Sequence, residues 1–135
     1  MKLLLDTNIC IYIINRRPEA VLKHFLAYEV GDIGISTITL SELRHGAAKS
    51  KYRDKNMKAL NEFITPLEII PFDEKAALVY GGIRAALEKT GTLIGSMDML
   101  IAAQAVADGV TLITNNIREF SRIPGLTVIN WAGGD

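Results

Sequence analysis

Residues 3–8 read LLLDTN: three leucines that stop at an aspartate. An unbroken apolar triplet without polar alternation is the pattern of a strand covered on both faces, which belongs in the middle of a parallel sheet. Asp6 then stands where the strand hands over to the next element. In an open α/β sheet that edge is where ligands bind.

Working outward, short runs rich in Val, Ile and Leu recur at 33–36 (IGIS), 67–70 (LEII), 110–114 (VTLIT) and 126–130 (LTVIN), and the first run is 2–5 (KLLL). Each reads as a strand. Helical spacing predicts helices over 18–29, 53–65, 74–90 and 97–107, with Pro18 at a first-turn position and Gly91 as a C-terminal stop. The last of these, MDMLIAAQAVA, is apolar nearly all round, so it predicts a central, buried helix. Strands alternating with crossover helices predict an α/β fold of three layers, α/β/α, with a central parallel sheet of four to five short strands flanked by helices. The 135 residues suit one domain over 1–135, and no repeat or linker divides them.

Hydrophobic residues make up 49% and charged residues 22% of the chain, which predicts a packed core and excludes disorder. Fifteen Lys and Arg balance fifteen Asp and Glu, so any attraction to nucleic acid must come from a local patch. One such patch runs from Arg44 to Lys58, where Arg44, Lys49, Lys51, Arg53, Lys55 and Lys58 face a single acid, Asp54. It reads either as a solvated helix face or as a contact for a phosphate backbone. Cys10 is alone and cannot form an internal disulfide, no secretory pattern opens the chain, and no apolar run approaches the roughly 20 residues of a membrane span. These features predict a soluble, cytoplasmic protein.

Most acids lie among polar neighbours. Asp6, Glu42 (in TITLSELRHG) and Asp98 (in GSMDMLIAA) do not, and Glu119 (in TNNIREF) comes five residues after the strand over 110–114. All four can reach the ligand-binding edge of the sheet. Carboxylates gathered there raise one another's pKa unless a cation shares the site. Mg²⁺ or Mn²⁺ suits an oxygen-only set, whereas the usual ligands of zinc are scarce here. Each acid also has a local reading: Asp6 as N-cap of a helix over 8–15, Thr39–Glu42 and Asn116–Glu119 as capping boxes, and Asp98 as a dipole partner after an N-cap Ser96. A residue at a helix start already points toward the functional edge, so capping and ligation are compatible. Asp73 reads as an ordinary N-cap, Gly81-Gly82 as a place of close helix packing, and His24 and His45 as plain helix residues.

At these residues the chain resembles PIN-domain ribonucleases, and more narrowly the VapC toxins of type II toxin–antitoxin pairs. The pieces that carry the resemblance are LLLDTNI at 3–9, ISTITLSELRHGA at 35–47, IRAALEKTGTLIGSMDMLIAAQA at 83–105 and LITNNIREFSRIPGL at 112–126, in family order. The resemblance implies a Mg²⁺-dependent endoribonuclease, with Mn²⁺ able to substitute, that cuts structured RNA, tRNA being the expected target. It puts Asp6 and Asp98 in the role of metal ligands, Glu42 in the role of an active-site acid, and Glu119 in the place of the acid that many PIN domains carry where this chain has Asn116. Thr7, Asn8 and Asn116 are then candidates to hydrogen-bond the carboxylates from behind. A VapB-type antitoxin, a homodimer and a hetero-oligomer on operator DNA are the implied partners.

Three rivals share parts of the pattern. A phosphatase of the haloacid dehalogenase type needs a second aspartate two residues after the first, where this chain has Asn8, and a receiver domain needs an acidic pair at the first strand and a Lys after the last. A docking module without turnover has no need to keep Asp6, Glu42 and Asp98 together.

Overall fold

The computed structural model describes residues 2–132. Five strands form one sheet: β1 (Leu3–Leu5), β2 (Ile33–Ser36), β3 (Glu68–Ile70), β4 (Thr111–Ile113) and β5 (Val128–Ile129). All neighbours are parallel, in the order β3-β2-β1-β4-β5. The leucine triplet is therefore central, paired with β2 through Leu3↔Ile33 and with β4 through Leu5↔Ile113.

Parallel neighbours cannot be joined by a tight turn, so helices fill the crossovers. They are α1 (Thr7–Asn15), α2 (Glu19–Leu26), α3 (Thr37–Lys49), α4 (Arg53–Ile64), α5 (Glu74–Thr90), α6 (Ser96–Asp108) and α7 (Ile117–Phe120). The two-residue period of β1 sorts them into layers. Leu3 and Leu5 point into a core shared with Ile9 and Ile13 of α1, Val21 of α2, Leu43 of α3 and Leu60 of α4. Leu4 points the other way, into a core with Ile83 and Leu87 of α5, Ile101 and Ala105 of α6, and Phe120. The result is the three-layer α/β/α arrangement, with α6 the most enclosed helix.

The local signals hold at several boundaries. Asp6 caps α1, Asp73 caps α5, and Gly91 ends α5 in the left-handed region at φ 68°. Others shift. The N-cap before Glu42 is Ser36, whose hydroxyl accepts from the Ile38 amide at 2.9 Å, and Thr39 lies inside α3, fully buried. Ser96 is the first residue of α6, and Gly95 holds the cap position with no side chain to offer. Gly81 and Gly82 are exposed, and a Cβ at either would meet nothing within 4 Å, so they do not serve close packing. Among the described residues no helix is long and apolar enough to cross a membrane.

Candidate active site

The carboxyl-terminal ends of β1, β2 and β4 lie side by side, and each is followed by a polar residue: Asp6, Thr37 and Thr114. Asp6 is the most constrained of the acids. Its main-chain N–H donates to Ile113 O at 3.0 Å, which extends the ladder between β1 and β4 by one step. Its Oδ1 accepts from the Ile9 amide at 3.0 Å and caps α1, while Oδ2 accepts from Thr114 Oγ1 at 2.5 Å. The side chain is 4% exposed. Burial raises its pKa, the Thr114 hydroxyl and the Ile9 amide pull it back, and the charge of Glu42 raises it again.

Glu42 projects from α3 because α3 begins at Thr37, which puts residue 42 in the second turn, clear of capping duty. Its Oε1 accepts from Thr7 Oγ1 at 2.5 Å, a bond between the first residue of α1 and α3. Asp98 sits in the first turn of α6 above the uncapped Gly95, where the helix dipole favours negative charge. Its carboxyl is nevertheless pushed up to about 6, first by burial, then by the charges of Asp6, Glu42 and Glu119. Glu119 reaches this set from α7. Four acids from four segments of the chain therefore share one field, with Asp98 at the point where the other three act.

Of the residues read as supports, Thr7 binds Glu42. Asn8 is exposed and assists Asp6 only through its main-chain amide. The Asn116 main-chain N–H donates to Thr114 Oγ1 at 3.0 Å, and its side chain bonds none of the acids among the described residues. Thr114 is the residue that sequence reasoning misses. Its hydroxyl joins the Asn116 amide to the Asp6 carboxylate, and the only sequence signal for it is a threonine at a strand end, most of the chain away from the aspartate it serves.

Among the described residues no cation of the protein offsets this charge. The ion pairs among them are Lys2–Asp32 and Arg84–Glu88, both elsewhere. The donor set is all carboxylate oxygen, which matches a hard divalent ion rather than zinc. Among the described residues no three Asp, Glu, His or Cys side chains cluster tightly enough to enclose an ion by themselves. An ion at such an edge would need water or a ligand's oxygens to complete its shell.

Known proteins resemble this chain over most of its length. Residues 3–126 match the family model of the PIN domain. The chain is 46% identical to a protein of Rickettsia felis named Ribonuclease VapC2, over 95% of this chain and 96% of that one. It is 41% identical to the tRNA(fMet)-specific endonuclease VapC of Salmonella typhimurium, over 97% and 98% of the two chains. A crystal structure of VapBC2 from Rickettsia felis bound to a DNA fragment from its promoter superimposes with a TM-score of 0.91 at 44% identity, covering 97% of this chain and 99% of that one.

Proposed function

The chain belongs to the PIN-domain family, and from that premise we propose that it is an endoribonuclease of the VapC kind, dependent on Mg²⁺ or Mn²⁺, which cuts structured RNA. Transfer RNA is the substrate we assign, supported by the name of the Salmonella relative. A VapB-type antitoxin restrains it, and the pair binds operator DNA, as the VapBC2 complex on promoter DNA supports. One observation carries the catalytic part: the charges of Asp6, Glu42 and Glu119 converge on Asp98, with no basic residue among the described ones paired to balance them.

Asp6 and Asp98 would hold the ion. When bound, it supplies Lewis acidity, polarising a phosphate oxygen and lowering the pKa of water. The residues of the chain do the rest. Thr114 and the Ile9 amide fix the orientation of Asp6 by occupying one lone pair on each oxygen, which leaves the outward lone pairs for the site. Thr7 holds Glu42 by Oε1, which leaves Oε2 as the oxygen that would accept the proton of an attacking water. Water attacks phosphorus in line, the P–O bond to the departing ribose oxygen breaks, and that oxygen is protonated from solvent. Glu119 adds negative charge that tightens the hold on a cation.

The test is incubation with a mixed RNA pool in Mg²⁺, in Mn²⁺ and in chelator, with the cut ends mapped. Metal-dependent cuts are expected, falling at least about 100-fold in Asp6→Asn and Asp98→Asn while circular dichroism stays unchanged. Cutting that persists in both variants would refute the assignment.

A further inference from the structure

A phosphate chain approaching an edge of four carboxylates needs positive charge along its path, and a recess between α1 and α2, about 14 Å along α1 from Thr7, carries it. The recess is shallow and open to solvent, and Tyr12, Arg16, Arg17, Pro18, Glu19 and Leu22 line it. The end of α1 is held firmly at this point. Arg16 caps the helix in the left-handed region at φ 57°, and the Arg16 and Arg17 amides return to Ile13 O at 3.1 Å and Tyr12 O at 3.0 Å. Both guanidinium side chains thus leave from a fixed turn into solvent. Glu19 is the one acid in the lining, and neither arginine belongs to an ion pair among the described residues.

The recess is tied to the acids. Tyr12 is half-buried, with its ring against the core around Ile9 and Ile13, and its hydroxyl accepts from Asn115 Nδ2 at 2.8 Å. Asn115 directly follows Thr114, the residue that donates to Asp6. An aromatic ring flanked by two arginines over an apolar floor is the chemistry that takes an unpaired base and its phosphates, since every base offers a stacking face and guanidinium groups grip phosphate through several donors. We propose that this recess is a nucleotide subsite for single-stranded RNA beside the cut, with Tyr12 stacking on a base and Arg16 and Arg17 holding the adjoining phosphates. The subsite rests on the ribonuclease reading above and adds to it the place where the strand is gripped.

Binding measured in chelator isolates the grip from the cutting. Fluorescence anisotropy with a fluorescein-labelled single-stranded RNA is expected to show Arg16→Gln and Arg17→Gln each binding about five- to tenfold more weakly, with the salt slope shallower by about 0.7 for every phosphate no longer neutralised. Tyr12→Leu is expected to weaken binding about five- to tenfold, and Tyr12→Phe to recover most of that, because the ring and not the hydroxyl does the stacking. Arg84→Gln on α5 removes the same charge far from the recess and is the control. Affinities of the three recess variants within twofold of the parent, or an equal weakening in Arg84→Gln, would overturn the subsite. So would variants that keep RNA affinity but no longer bind a purified acidic protein partner. RNA binding that depends on the recess in a chain that cuts nothing with Mg²⁺ or Mn²⁺ would leave the subsite standing and remove the nuclease reading.

Discussion

At Asp98 the field that would favour a bound cation strains the protein without one. Its carboxyl holds a proton up to about pH 6 in the folded chain against 3.8 ordinarily. Between those values the folded state binds a proton that the unfolded state has released, so stability falls as pH rises through that window and stays lowered above it. Asp98→Asn removes the repulsion. In chelator at pH 7.5 it is expected to stabilise the fold by about 1–2 kcal/mol, allowing for partial solvent access, and calorimetry would read this as a rise of about 3–8 °C. Added Mg²⁺ is expected to raise the melting temperature of the parent and not of the variant. A variant that melts lower than the parent in chelator would mean that the acids do not oppose one another. Thr114 poses the opposite case. Thr114→Val keeps the shape but leaves a buried carboxylate oxygen and the Asn116 amide without their shared partner. The expected cost is about 1–3 kcal/mol of stability, with activity down about 10- to 100-fold and recovery in Thr114→Ser. Equal melting of Thr114→Val and the parent would remove Thr114 from the site. Asp6 was legible because a carboxylate after an apolar triplet has few innocent explanations; Thr114 was not, because its partner is 108 residues away in sequence.

The basic run between α3 and α4 divides once its elements are in place. Arg44 donates to Asn61 Oδ1 at 2.7 Å across the surface, joining α3 to α4. Lys49, Lys51, Arg53, Lys55 and Lys58 are exposed and belong to no ion pair among the described residues; Lys51 rests 5.8 Å from the centre of the Tyr52 ring. Glu42 lies on the same helix as Lys49, seven residues or about 10 Å along its axis. The strip is therefore close enough to the acids for an RNA strand bound there, on the proposed reading, to reach it as well. Lys51→Gln/Lys55→Gln/Lys58→Gln is expected to raise KM for RNA and to flatten its salt dependence, the log–log slope falling by about 0.7 for each phosphate the strip ceases to hold. An unchanged slope would identify the strip as a solvated face. The helix that begins this hairpin also shows where sequence alone misleads. Ser36 and Thr39 both offer a hydroxyl to cap it, and T-x-x-E favours Thr39. The choice falls to Ser36 because β2 ends there, which is a fact of strand pairing and not of local spacing. Freed from a capping box, Glu42 is available to Thr7.

Across the whole molecule, the layering was readable from β1 alone, since Leu3 and Leu5 must face one core if Leu4 faces another. A parallel sheet of four to five strands was readable from strands alternating with helices, and the enclosed α6 from its nearly all-apolar sequence; the sheet has five. The order β3-β2-β1-β4-β5 was not readable, and with it the meeting of Asp6 with Thr114, of Thr7 with Glu42 and of Tyr12 with Asn115. The pairings with Thr114 and Asn115 depend on β4 docking beside β1, which joins segments near the two ends of the chain. During synthesis the ribosome releases β1 early and β4 late. A half-made polypeptide thus carries Asp6 and Glu42 but lacks the strand that orients the first and the helix that brings Glu119. The Asp6–Thr114 pairing is therefore assembled only when synthesis is nearly complete, and a nuclease of the kind proposed would be inactive until then.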